Sequence, residues 1–178
     1  MAAGNGYGLR PVGWGISGNA YNTAGFQRYP VTAASAVAMF NGDFVEMAAG
    51  TVTRQNGATG ESPTIAKLTL GVCVGAEYTS AEGTPTWNQY YPGAGTETNA
   101  FVFVCNDPSQ TYLIKCDAAV TQAEVGGNYL ITDFAEADGN TTTGNSGINL
   151  DVGSEVTTVA TPCLRILDIP KDGVNENS

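Results

Sequence analysis

At 178 residues the chain has the length of one domain, or of two small ones, and is long enough to fold without a covalent staple. Its formal charge of −10 disfavours nucleic-acid partners, and the absence of histidine removes Ser-His-Asp triads, Cys-His dyads and His-containing metal sites. Abundant glycine, with much Thr, Ala, Val and Asn, favours short strands and tight turns. The expected fold is mainly β: a compact antiparallel β-sandwich or barrel-like body with at most one short helix and an extended N-terminal arm.

Residues 1–29 read as that arm. No acidic residue precedes Asp43, whereas Arg10 and Arg28 both do. Set against the total of −10, these two cations leave −12 on the rest of the chain. Pro11 and the many glycines disfavour a helix and let the segment follow a foreign surface. Aromatic side chains interleave with them, and large aromatics anchor interfaces by burying apolar area. By type and placement, Arg10, Trp14, Tyr21, Phe26, Arg28 and Tyr29 are the candidate contacts. The alternative is a frayed terminus. Met1–Leu9 has neither a cation nor an apolar core, so no signal peptide is expected there. No run reaches the roughly 18 apolar residues of a membrane span. Neither a membrane nor a nucleic acid is an expected partner.

Residues 30–170 read as a single β-rich domain. Val31–Phe40 alternates as a strand would, although its alanines also allow a helical turn; strand or extended structure is favoured. Gly42–Met47 and Thr51–Arg54 flank Ala48-Ala49-Gly50 and read as a hairpin. Residues 55–64 are a loop by composition. Lys67–Tyr78 carries the clearest alternation, with Leu68, Leu70, Val72, Val74 and Ala76 on one face of a half-buried strand. On the other face, Gly71 and Gly75 leave room for another backbone. Residues 79–99 read as a long polar loop holding Trp87, Tyr90 and Tyr91. These three form a second candidate contact surface, or else fold back as a lid over their own core.

Ala100–Cys105, a turn at Asn106–Gln110, and Thr111–Asp117 read as strand, turn, strand. Phe101–Val104 is apolar on both faces, which makes its strand central. Thr121-Gln122-Ala123-Glu124 fits a capping box that opens one or two helical turns ending by Gly126. Tyr129–Phe134 is a strand, 135–149 a polar turn region, and Val156–Ala160 and Cys163–Ile169 the last strands. Residues 171–178 form a polar tail.

Little here suggests chemistry. Cys73, Cys105, Cys116 and Cys163 fit no CxxC pattern and read as buried free thiols. Glu136 and Asp138 lie in a turn, where solvated charge is the plain reading. Asp133-x-x-Glu136-x-Asp138-Gly139-Asn140 departs from the EF-hand order. There is no phosphate-binding glycine loop with its lysine. The expectation is a protein that is not an enzyme, with no catalytic residue, no metal site and no cofactor.

Several segments carry a family resemblance. Pro30-Val31-Thr32-Ala33, Asn41-Gly42-Asp43-Phe44-Val45 and Thr69–Ala76 are similar to a pattern of tailed-phage structural proteins. Phe101–Asp107, Tyr112–Asp117, Ala123–Gly126, Thr141–Gly147, Leu150-Asp151 and Leu164–Leu167 follow in order. Together, over about residues 30–176, they resemble tailed-bacteriophage head decoration (capsid cement) proteins. The resemblance implies a virion protein on the outer capsid surface, made in the host cytoplasm, that stabilises contacts between capsomers. Its implied partners are the major capsid protein and itself, as a homo-oligomer, trimer favoured over dimer. Two alternatives stand beside it: another virion β-protein (tail, neck or fibre-associated), and a carbohydrate-binding module.

Overall fold

A computed structural model describes residues 7–12, 25–32, 35–55, 69–131, 139–156 and 164–169. Among them the chain runs as short antiparallel strands. These are β1 (Arg10–Val12), β2 (Phe26–Pro30), β3 (Phe44–Ala48), β4 (Thr51–Arg54), β5 (Thr69–Thr79), β6 (Pro85–Asn88), β7 (Thr98–Cys105), β8 (Thr111–Leu113), β9 (Asn128–Ile131), β10 (Leu150–Glu155) and β11 (Leu164–Arg165). The mainly β, antiparallel architecture is the one composition pointed to.

The largest sheet has the order β2-β7-β5-β3-β4, with β6 beside β3 along the same edge of the long β5. Its two outer strands meet at one point, a parallel bridge between Val31 and Val52. One bridge is not a ladder; the sheet is curled rather than shown closed. A three-stranded sheet β10-β9-β11 and a two-stranded sheet β1-β8 complete the body.

Each face of the large sheet has its own core. Val31, Met39, Val45, Val52, Cys73, Ala76, Tyr91, Val102 and Val104 pack on the inner face. Burying each such valine contributes roughly 1.5–3 kcal/mol. One end of the outer face is covered by Leu9, Phe44, Val72, Ile131 and Ile148, with Tyr112, Ile114 and Leu164 against them. The rest of the outer face has no layer over it among the described residues.

The β3–β4 hairpin forms as its pattern indicates, with Ala48 opposite Thr51 and a two-residue turn at Ala49-Gly50. Both turn residues have positive φ, 50° and 84°, the type I′ requirement. β7 is central, lying between β2 and β5. Thr121 and Glu124 close their capping box: the Thr121 N–H donates to Glu124 Oε2 at 2.6 Å, and the Ala123 N–H donates to Thr121 Oγ1 at 3.3 Å. The helical piece is only the 3₁₀ turn Gln122–Glu124. Residues 35–38 form neither helix nor paired strand, and Val31 and Met39 make isolated bridges.

Other expectations are corrected. The boundary between arm and body does not fall at residue 29. β2 is fully paired with β7, and β1 is paired with β8. Leu9 has no exposed surface. The segments 7–12 and 25–30 are therefore parts of the body. The expected hairpin of 100–105 with 111–117 does not form, because β8 leaves the large sheet to pair with β1.

The single alternating face of 67–78 is broken by extra residues. Val45 and Glu46 oppose Gly71 and Thr69, which leaves Leu70 as a bulge, and Val104 and Phe103 oppose Cys73 and Gly75, which leaves Val74 as another. Cys73 and Ala76 consequently share the inner core while Val72 faces outward. Gly71 does leave room for a backbone: an added Cβ would run into the Cys105 carbonyl oxygen.

The loop read at 79–99 contains β6, paired with β5 from Ala76–Asn88 to Thr79–Pro85. β10, at Leu150–Glu155, was not expected, and within it Ser154 Oγ accepts the Leu130 N–H across an irregularity in the pairing; of the strand expected at 156–160, residues 157–160 lie outside the described residues. The loop at 56–64, the acidic turn at 133–138, Cys163 and the tail 171–178 lie outside the described residues.

Candidate functional site: the open outer face of the large sheet

The uncovered outer face is assembled by strand register. One row across the sheet runs Arg28–Phe103–Gly75, and the next runs Pro30–Phe101–Glu77–Trp87. Residues in such rows share a face because side chains alternate along each strand.

Arg28 lies across this face. Its guanidinium carbon sits 3.5 Å from the centroid of Phe101, and its end pairs with Glu77. Half of its side chain is solvent-exposed, so the ion pair contributes about 0–1 kcal/mol; ring contact adds a similar amount. This cation is already engaged within the protein.

Trp87 is the most exposed large hydrophobic side chain described, at 68%. Pairing with Glu77 fixes its backbone, and its indole lies 6.4 Å from Phe103 at 50°. A Cβ on Gly75 would come 3.7 Å from the indole Cζ2, so the bare backbone of Gly75 is the floor beneath the ring. The indole separates two clefts. The larger, about 630 Å³, is walled by Arg10, Phe26, Asn41, Gln89, Phe103 and Asn145, with Pro11 and Val74. The smaller, about 370 Å³, includes Glu77, Thr86 and Asn99.

The candidate contacts divide. Arg10, Phe26, Arg28 and Trp87 come together on or beside this face. Arg10 stacks over Tyr7 at 4.9 Å. Burial raises the Tyr7 phenol above its ordinary value, and the Arg10 charge pulls it partly back. Trp14 and Tyr21 lie outside the described residues.

Tyr29 points the other way, against the inner core, where its hydroxyl donates to Gln27 Oε1 at 2.7 Å and accepts from Asn106 Nδ2 at 2.9 Å. Tyr90 stacks on Phe40, with centroids 5.1 Å apart and planes 8° from parallel. Tyr91 is fully buried, edge-on to Tyr78, with its hydroxyl near Ser35 O (3.2 Å) and Glu97 Oε2 (3.4 Å). Burial, then the Glu97 charge, pushes the Tyr91 phenol up to about 12. Two of the three loop aromatics thus fold back onto the body, and Trp87 alone stays open.

Sequence reasoning missed Phe103, Asn41, Gln89 and Asn145. The clue to Phe103 was the apolar character of 101–104 on both faces. The amides gave none, since distant turns bring them in: Asn41 bridges Asn145.

Among the described residues, no group of Cys, Asp and Glu is placed to hold a metal ion, and no helix is long and apolar enough to cross a membrane. Cys73 is buried, and burial pushes its thiol up to about 12, which suits a packing residue rather than a nucleophile. No family model matches the chain, and neither the curated proteins nor the solved structures give a match.

Proposed function

We propose that this is a non-enzymatic structural protein of a virion, bound to the outer surface of a phage capsid, where it stabilises contacts between major capsid protein capsomers. The partner comes from the sequence resemblance; the physical support comes from one feature of the fold. β2 is an outer strand of the large sheet and, among the described residues, no strand pairs with it on its far side beyond the bridge at Val31. It lies in the acid-free N-terminal stretch. An added strand from a partner would gain main-chain hydrogen bonds along such an edge with few specific side chains. Repetition over a shell then turns weak contacts into firm attachment, and a homo-oligomer, trimer before dimer, multiplies it further.

The test uses empty shells of the phage whose genome encodes the chain. Added protein should bind in hundreds of copies per particle, and the amides of β2 should gain hydrogen-exchange protection on the shell. A stoichiometry of a few to dozens moves the protein to a tail or neck. Full occupancy with unchanged exchange along β2 removes the edge as the docking element.

A further inference from the structure

The cleft beside Trp87 has a chemistry that capsid attachment does not use. Among the described residues, no acidic side chain lines this cleft. Arg10 is the one charged residue among the described residues that line it, and it forms no ion pair among them. Three amide side chains, Asn41, Gln89 and Asn145, stand on its wall. None of the three amide groups makes a hydrogen bond within the described structure. Each offers a carbonyl acceptor and two N–H donors. The same lining includes an apolar surface: the Trp87 indole, Phe103 and Phe26. At about 630 Å³ the space is within the roughly 300–1,000 Å³ range of small-molecule sites.

We infer that this cleft binds a neutral oligosaccharide, with a sugar ring stacked on Trp87 and its hydroxyls met by Asn41, Gln89, Asn145 and Arg10. A pyranose presents an apolar C–H face on one side and hydroxyls around its rim, which matches an aromatic plate faced by amides. An indole that is exposed yet backed by Gly75 and Phe103 is preorganised, so little ordering cost is added on binding. Polyanionic glycans are opposed by a net charge of −10 that one arginine does not offset. The site shares Phe26 with β2 but uses side chains of the sheet face rather than the main-chain edge, so its test is separate from that of the capsid reading.

The experiment uses the full chain carrying Trp14→Phe, which leaves Trp87 as its one tryptophan. Probes are cellotetraose, maltotetraose and the N-acetylglucosamine tetramer in solution, then an array of neutral glycans. At least one should change Trp87 fluorescence saturably. Trp87→Ala should weaken binding about tenfold or more, and Asn145→Ala by several-fold, both with unchanged melting temperature. The inference is overturned if no neutral glycan binds above the Trp87→Ala control, or if binding survives that substitution. It is equally overturned if Trp87→Ala abolishes shell binding while glycans remain without effect, since the face would then be a protein contact.

Discussion

The backbone of Gly8 lies directly against that of Gly42: a β-carbon built on either would come within 2.8 Å of the other's Cα. The Leu9 N–H donates to Gly42 O at 3.1 Å, and the Gly42 N–H donates to Cys73 O at 2.8 Å, so the contact ties the N-terminal segment to β5. Gly42 also has φ +95°, in the region side chains disfavour. Gly42→Ala should therefore cost about 2–4 kcal/mol, read as a fall in the urea midpoint. A variant as stable as the parent would mean that the two backbones part easily.

Asp43 is fully buried, and its Oδ2 lies 3.3 Å from Arg54 Nε while accepting the Phe40 N–H at 2.8 Å. Asp43→Asn keeps the shape but removes the anion facing a mostly buried cation. The expected loss is about 3–5 kcal/mol, since breaking a buried pair from one side leaves its charge uncompensated. Denaturant melts decide this; a loss below about 1 kcal/mol would place the pair with exposed ones.

Tyr91 gives the molecule an alkaline limit. Its phenol titrates at about 12 when folded, against 10.0 for an ordinary tyrosine. Through that window the unfolded chain gives up the proton first, so the contribution of Tyr91 is intact below pH 10 and is lost as pH rises towards 12. Tyr91→Phe should make the decline of stability across this window shallower. Tyr112 and Cys73, also raised by burial, should leave a residual slope. A profile unchanged in Tyr91→Phe would show that another group sets the limit.

Ala49 occupies a left-handed position, φ 50°, that its β-carbon disfavours. Ala49→Asn should stabilise the β3–β4 hairpin by about 1 kcal/mol, seen as a higher melting temperature. An unchanged or lower melting temperature would show that the turn relaxes its strain elsewhere.

Local signals carried the local structure. Ala48-Ala49-Gly50 marked a turn because it holds a glycine between two short β-runs. Thr121 and Glu124 marked a helical start because each side chain satisfies the other's backbone. Phe101–Val104 marked a central strand because it is apolar on both faces. Other features rest on partners remote in sequence. Nothing near Thr111 says that Arg10–Val12, rather than Ala100–Cys105, will lie beside it. The alternation around Val72 looked unbroken because a bulge residue is defined by the strand opposite it. Tyr91 sat in a polar stretch, and only its bridge to Met39 carries it inside. The site was half legible for the same reason: Arg10, Phe26 and Trp87 were chosen for their types, but their meeting on one face is a property of sheet order.

The packing of Leu9 against Ile131 and Ile148 sets a schedule for biosynthesis. The Leu9 segment has its full set of apolar partners there only once residues near 148 have followed. The inner core of the large sheet draws on residues no later than Val104, so it can assemble first. During that interval Leu9, Phe44 and Val72 lack the cover of Ile131 and Ile148, and the nascent chain is exposed to aggregation until those later residues arrive.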